Sequence, residues 1–129
     1  MIKVLFIEDD PQQIFLYQEV FNLKGLLTII ATTGDEAFKM LFSEKPDIIL
    51  ADIILQNENG LDIVGKIKHD SRYSAIPVVV FTNSDKQEYK DRALSLGTID
   101  FIVKADTIPQ EVAEKIKNIF KAYQSSKKN

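Results

Sequence analysis

Short apolar stretches recur along the chain: IKVLFI (2–7), LLTIIA (26–31), DIILA (47–51), PVVVF (77–81) and DFIV (100–103). Each is rich in Val, Ile or Phe and has the length of a strand. Longer segments with helical spacing lie between them. The last of these, roughly 108–124, places Val112, Ile116, Ile119, Phe120 and Tyr123 on one face. Five strands alternating with five helices predict an α/β fold, a parallel sheet covered on both faces with right-handed crossovers.

Helix starts follow in register. Asp10-Pro11-Gln12-Gln13 offers an N-cap, a first-turn proline and a capping glutamine. Thr33 with Glu36 reads as a capping box, and Ser84 with Gln87 and Thr107 with Gln110 repeat the pattern. Gly97 reads as a helix stop, and Glu58-Asn59-Gly60 as a turn before the third helix. Residues 1–124 are expected to form one domain. The polar end, 125–129, is expected to be a frayed tail with no second domain behind it.

Composition narrows the partners. The 129 residues are 45% hydrophobic, enough for a normal core, and the net charge of −3 gives no nucleic-acid footprint. There is no cysteine, which excludes disulfides and thiolate metal sites. MIKVLFIEDD has too short an apolar run for a signal peptide or a membrane span, so a cytoplasmic protein is the default expectation.

In an open parallel sheet, function gathers where strand C-termini meet helix N-termini. Glu8, Asp9 and Asp10 follow the first strand, Asp52 the third, Thr82 and Asn83 the fourth, and Lys104 the fifth. Carboxylates about 4 Å apart repel by about 4 kcal/mol at an effective dielectric near 20, so such a group needs a cation. Oxygen ligands without His or Cys point to Mg²⁺ or Mn²⁺. A metal, a lysine and a hydroxyl around one aspartate suit phosphoryl transfer onto that aspartate.

FIEDD (6–10), DIILAD (47–52) with Gly60 eight residues on, VVVFT (78–82) and FIVK (101–104) occur in order, with 30 residues from Asp52 to Thr82 and 22 from Thr82 to Lys104. In these motifs and spacings the chain resembles the receiver domain of two-component response regulators along nearly its whole length. The resemblance implies a doubly wound, flavodoxin-like sheet of order 2-1-3-4-5. It also implies Asp52 as phospho-acceptor, with Asp9 and Asp52 as direct Mg²⁺ ligands. The backbone carbonyl of Ile54 joins that shell, and Glu8 acts through water. Asp10 is left to cap the helix. Thr82 is the switch hydroxyl, Lys104 the phosphate-contacting lysine, and Phe101 both a core residue and the rotating switch aromatic.

The implied function is a stand-alone receiver. It takes phosphate from a histidine kinase or phosphotransfer protein and catalyses only its own phosphorylation and dephosphorylation. It signals to a downstream protein through helix 4, strand 5 and helix 5, with no nucleic-acid or membrane partner.

Departures from the family pattern are Gln56 and Ala105 where prolines are common, Phe101 in place of tyrosine, and Asn83 where a small residue is usual. The geometry of the Lys104–Ala105 bond is left open. His69, the only histidine, reads as a solvated residue near the end of the third helix. Three other functions compete. A small-molecule phosphatase with an aspartyl-phosphate would have a second acid at position 54. A flavin-binding module would not have the acidic loop EDDPQQ. A phosphate-independent receiver would not need Asp9, Asp52, Thr82 and Lys104 together.

Overall fold

The computed structural model describes residues 1–127; the last two residues of the predicted tail lie outside them. Five parallel strands, β1 (Lys3–Ile7), β2 (Leu27–Ala31), β3 (Ile48–Ala51), β4 (Val78–Thr82) and β5 (Asp100–Val103), form one sheet in the order β2-β1-β3-β4-β5. The helices between and after them are α1 (Pro11–Leu23), α2 (Gly34–Glu44), α3 (Gly60–His69), α4 (Gln87–Ser95) and α5 (Pro109–Lys127). This is the flavodoxin-like order that the sequence resemblance implies.

The strands read as largely apolar runs because both faces of the sheet are covered, most completely at the central β3 and β4. In β1, Val4 and Phe6 face a core built with Tyr17 and Phe21 of α1 and Val112, Ala113 and Ile116 of α5. Leu5 and Ile7 face the opposite core, with Ala37 and Leu41 of α2 and Ile63, Val64 and Ile67 of α3. Period-two alternation therefore selects which core a residue joins, not whether it is buried. A third cluster of Ile53, Leu61, Val80 and Ala93 sits under α4, and half-buried Phe101 packs against it.

The register positions the site. Ile7 pairs with Ala31 on one side and Ala51 on the other, Ala51 with Val80, and Thr82 with Val103. Glu8, Asp52 and Lys104 each come immediately after a strand's last residue, so they emerge together at the C-terminal edge. A single 3₁₀ turn, Lys104–Asp106, then turns the chain toward α5. No peptide bond among the described residues is cis, so Lys104–Ala105 is trans.

Two of the expected caps form and others do not. Asp10 caps α1 by accepting from Gln12 N, and Thr33 caps α2 by accepting from Glu36 N. Glu36 closes back on Thr32, one residue earlier than the box requires. The Asp10 N–H goes to Glu8 and not to Gln13. Ser84 does not cap α4: its hydroxyl accepts from Lys86 N in a local turn, and the helix starts later without a side-chain cap. The Thr107 hydroxyl donates to the Lys104 carbonyl and so belongs to the 3₁₀ turn. Gly97 does end α4: it has φ +89°, its N–H bonds Leu94 O, and Thr98 N–H bonds Ala93 O, the paired bonds of a Schellman stop.

Candidate functional site

The site starts with Asp52, which is 5% exposed at the end of β3. A lone charge there would be costly. One carboxylate oxygen accepts from Ile54 N at 2.9 Å, and the other takes the Lys104 ammonium at 3.0 Å. The same ammonium bonds Glu8 Oε1. Glu8 is 1% exposed, and its second oxygen accepts from the backbone N–H of Asp9 (3.0 Å) and Asp10 (3.3 Å). Burial raises the Glu8 pKa above its ordinary value even though Lys104 opposes the shift. For Lys104, burial pulls the pKa down, but Asp52 and Glu8 together outweigh it and hold the ammonium above its usual range.

Lys104 is also a cation that the crowded carboxylates need, a role the sequence assigns to a metal and this lysine together. Asp9 takes a different partner: its carboxylate accepts from Gln56 N at 2.6 Å. A proline at 56 would have no N–H to give. The β3–α3 loop is tied down elsewhere too. Glu58 accepts from Gly34 N at the start of α2 at 3.0 Å, Ile54 and Asn59 form an antiparallel bridge, and Gly60 N bonds Ile53 O. Gly60 lies so close to the strand end that a Cβ there would sit 2.3 Å from Asp52 O.

Thr82 completes the edge. It is fully buried, and its hydroxyl has no hydrogen-bond partner among the described residues. It lines a cleft of about 250 Å³ together with Glu8, Asp9, Asp52, Ile54, Asn83 and Lys104. The fold thus brings together every residue expected at the site except Phe101, which lies one core layer away beside Val80. His69 is exposed at the end of α3, its ring bonded to Gly65 O, and takes no part.

Residues 4–117 match the model of the response regulator receiver domain family. The chain belongs to that family. Among the receiver's relatives is protein PilH of Pseudomonas aeruginosa, 27% identical over 104 residues, which are 81% of this chain and 86% of PilH. Another is the alkaline phosphatase synthesis transcriptional regulatory protein PhoP of Bacillus subtilis, 29% identical over 92% of this chain but 48% of PhoP. In structure, a CheY-like receiver domain protein from Methanospirillum hungatei superposes with a TM-score of 0.88 over 98% of each chain at 21% identity, a likeness of fold. The Mn²⁺-bound form of response regulator Rcp1 gives 0.73 over 97% of this chain and 91% of Rcp1, at 26% identity.

The receiver's cleft is lined by the carboxylates of Glu8, Asp9 and Asp52 and by no His or Cys, the oxygen-rich chemistry that a hard divalent cation takes while keeping several waters. Among the described residues no three carboxylate or imidazole groups converge on one point, since Lys104 holds Glu8 and Gln56 holds Asp9. Two features at this edge escaped the sequence reading. The Gln56 N–H was visible only as a missing proline. The Phe81 ring beneath Lys104, 5.3 Å from its Nζ, looks in the sequence like any core aromatic.

Proposed function

We propose that this receiver accepts a phosphoryl group on Asp52 from the phosphohistidine of a kinase or phosphotransfer protein. The Asp52 carboxylate oxygen attacks phosphorus, the P–N bond breaks, and the imidazole leaves with the bonding pair. Lys104, already bonded to Asp52, faces the charge that grows on the phosphoryl oxygens. The Thr82 hydroxyl, unpartnered in the same cleft, is free to donate to one of them. A divalent cation held by Asp9, Asp52 and the Ile54 carbonyl, with Glu8 through water, would neutralise phosphoryl charge when bound.

The observation that carries this reading is the buried Asp52–Lys104 pair opening into a cleft that also holds an unsatisfied hydroxyl. A polar atom buried without a partner costs stability, and an incoming phosphoryl oxygen supplies the partner. The isoleucine at position 54, where an aspartyl-phosphate phosphatase would need an acid, favours a receiver over a hydrolase. The signal would leave through α4, β5 and α5: Thr82 moves toward the phosphoryl group and Phe101 turns into the space beneath β5.

Intact mass after incubation with a small acyl phosphate and Mg²⁺ tests the acceptor. Wild type should gain one phosphoryl group and Asp52→Asn none. An adduct persisting in Asp52→Asn, or none in wild type, would overturn the reading.

A further inference from the structure

Two carboxylates account for only part of what holds Lys104. An ammonium has three N–H groups. Here two reach Glu8 and Asp52, and the third has no acceptor among the described residues. The Phe81 ring lies close to the same ammonium, its centroid 5.3 Å from Nζ, within cation–π range. Phe81 is fully buried, so no water competes for the ring face.

The ring's own orientation is fixed. Tyr17 of α1 stands at 87° to it with centroids 5.0 Å apart, and Phe6 of β1 lies 6.2 Å away. Phe6 and Tyr17 meet each other edge to face at 5.9 Å, closing a trio of rings beneath the lysine. Strand alternation gives β4 two jobs at its end. Thr82 lines the cleft, while Phe81, pointing into the α1–α5 core, supports the cation that faces the cleft. An aliphatic side chain at 81 could fill much of that volume. It would leave the third N–H against an apolar wall and let the lysine head turn toward solvent.

We propose that Phe81 is a positioning residue for phosphoryl transfer: its face, held in plane by Tyr17 and Phe6, sets the Lys104 ammonium between Glu8 and Asp52. The inference rests on Asp52 being the phospho-acceptor. Its chemistry separates from simple packing because fluorine withdraws charge from a ring face with little change in ring shape.

The test uses the full chain with 4-fluorophenylalanine or 3,4,5-trifluorophenylalanine at position 81, beside Phe81→Leu. Phosphorylation by acetyl phosphate with Mg²⁺ is followed by intact mass, and the Lys104 side-chain protons by NMR. The rate should fall stepwise with fluorination, and by about three- to tenfold in Phe81→Leu. Lys104 methylene protons should show an upfield ring-current shift in wild type that Phe81→Leu loses. A rate that stays flat across the fluorinated pair, whatever Phe81→Leu does, would reduce the ring to packing and overturn the proposal. Absence of the ring-current shift would overturn the contact itself. A wild type that shows the shift but takes no phosphoryl group would instead overturn the acceptor reading and leave Phe81 with a purely structural contact. Should Phe81→Leu fail to fold, the fluorinated pair decides alone.

Discussion

Replacing Lys104 with methionine removes one charge and strands two. Glu8 and Asp52 are 1% and 5% exposed, and both rely on the same ammonium. At an effective dielectric of about 20, the 3.0 Å pair with Asp52 alone is worth about 5.5 kcal/mol of gross attraction. Desolvation cancels much of that in the intact protein. It is not recovered when only one partner leaves, and removing one member of a buried pair typically costs about 3–5 kcal/mol. Lys104→Met is therefore expected to lose about 3–5 kcal/mol at pH 7 in urea unfolding followed by circular dichroism. Adding Glu8→Gln should restore a large part of the loss, because one of the two stranded charges is gone.

The pH dependence has a definite sign. Burial already holds the Glu8 pKa above its ordinary 4.5, and without Lys104 it rises further. A carboxyl whose folded pKa is raised destabilises the fold above that value. The penalty fades as pH falls through the folded pKa toward 4.5, because the native state takes up the proton first. The gap between wild type and Lys104→Met should therefore be widest at neutral pH and narrow toward pH 5. A loss below about 1 kcal/mol at pH 7, or one that Glu8→Gln leaves untouched, would refute the shared-ammonium account.

Other substitutions probe the same edge. Thr82→Ala removes a buried hydroxyl that has no partner, so it should leave stability unchanged or raise it by up to about 1 kcal/mol, in contrast to a usual buried polar deletion; a loss above that in thermal or urea unfolding would mean the hydroxyl is already satisfied. Asp9→Asn and Asp52→Asn should each weaken Mn²⁺ binding, read by electron paramagnetic resonance, by roughly tenfold or more, and unchanged titrations in both would remove the metal assignment. Gly60→Ala would push a methyl to 2.3 Å from Asp52 O, with only backbone to yield, so a loss of roughly 3 kcal/mol is expected by urea unfolding, and a loss under 1 kcal/mol would show that the loop relaxes freely.

The sheet was legible because burial on both faces leaves a plain mark, a short run dominated by Val, Ile, Leu and Phe with at most one polar residue in each strand. Asp10, Thr33 and Gly97 could be placed because each acts through bonds to its own neighbours. Ser84 and Thr107 could not, since their hydroxyls had equally local alternatives, the Lys86 N–H and the Lys104 carbonyl, and the chain took those. At the site, the positions of Asp9, Asp52, Thr82 and Lys104 were readable as polar residues at or within two residues of a strand's C-terminal end. Which acid Lys104 would hold was not. That choice depends on Glu8 folding back over its own loop, and on a ring supplied by β4 through a core whose pairings no linear pattern records.

The ties along the β3–α3 loop also govern which changes in chain length this receiver can accept. From Ile53 to Gly60 the backbone leaves the strand end and returns to it, closed by the Gly60–Ile53 bond and pinned midway to Asp9 and to the start of α2. One residue more or fewer there would break the closure or unhook Asp9, so the segment works as a fixed-length spacer although it has no regular structure. Surface connections usually absorb insertions cheaply. Here the connection beside Asp52 has a residue count held as tightly as a strand's.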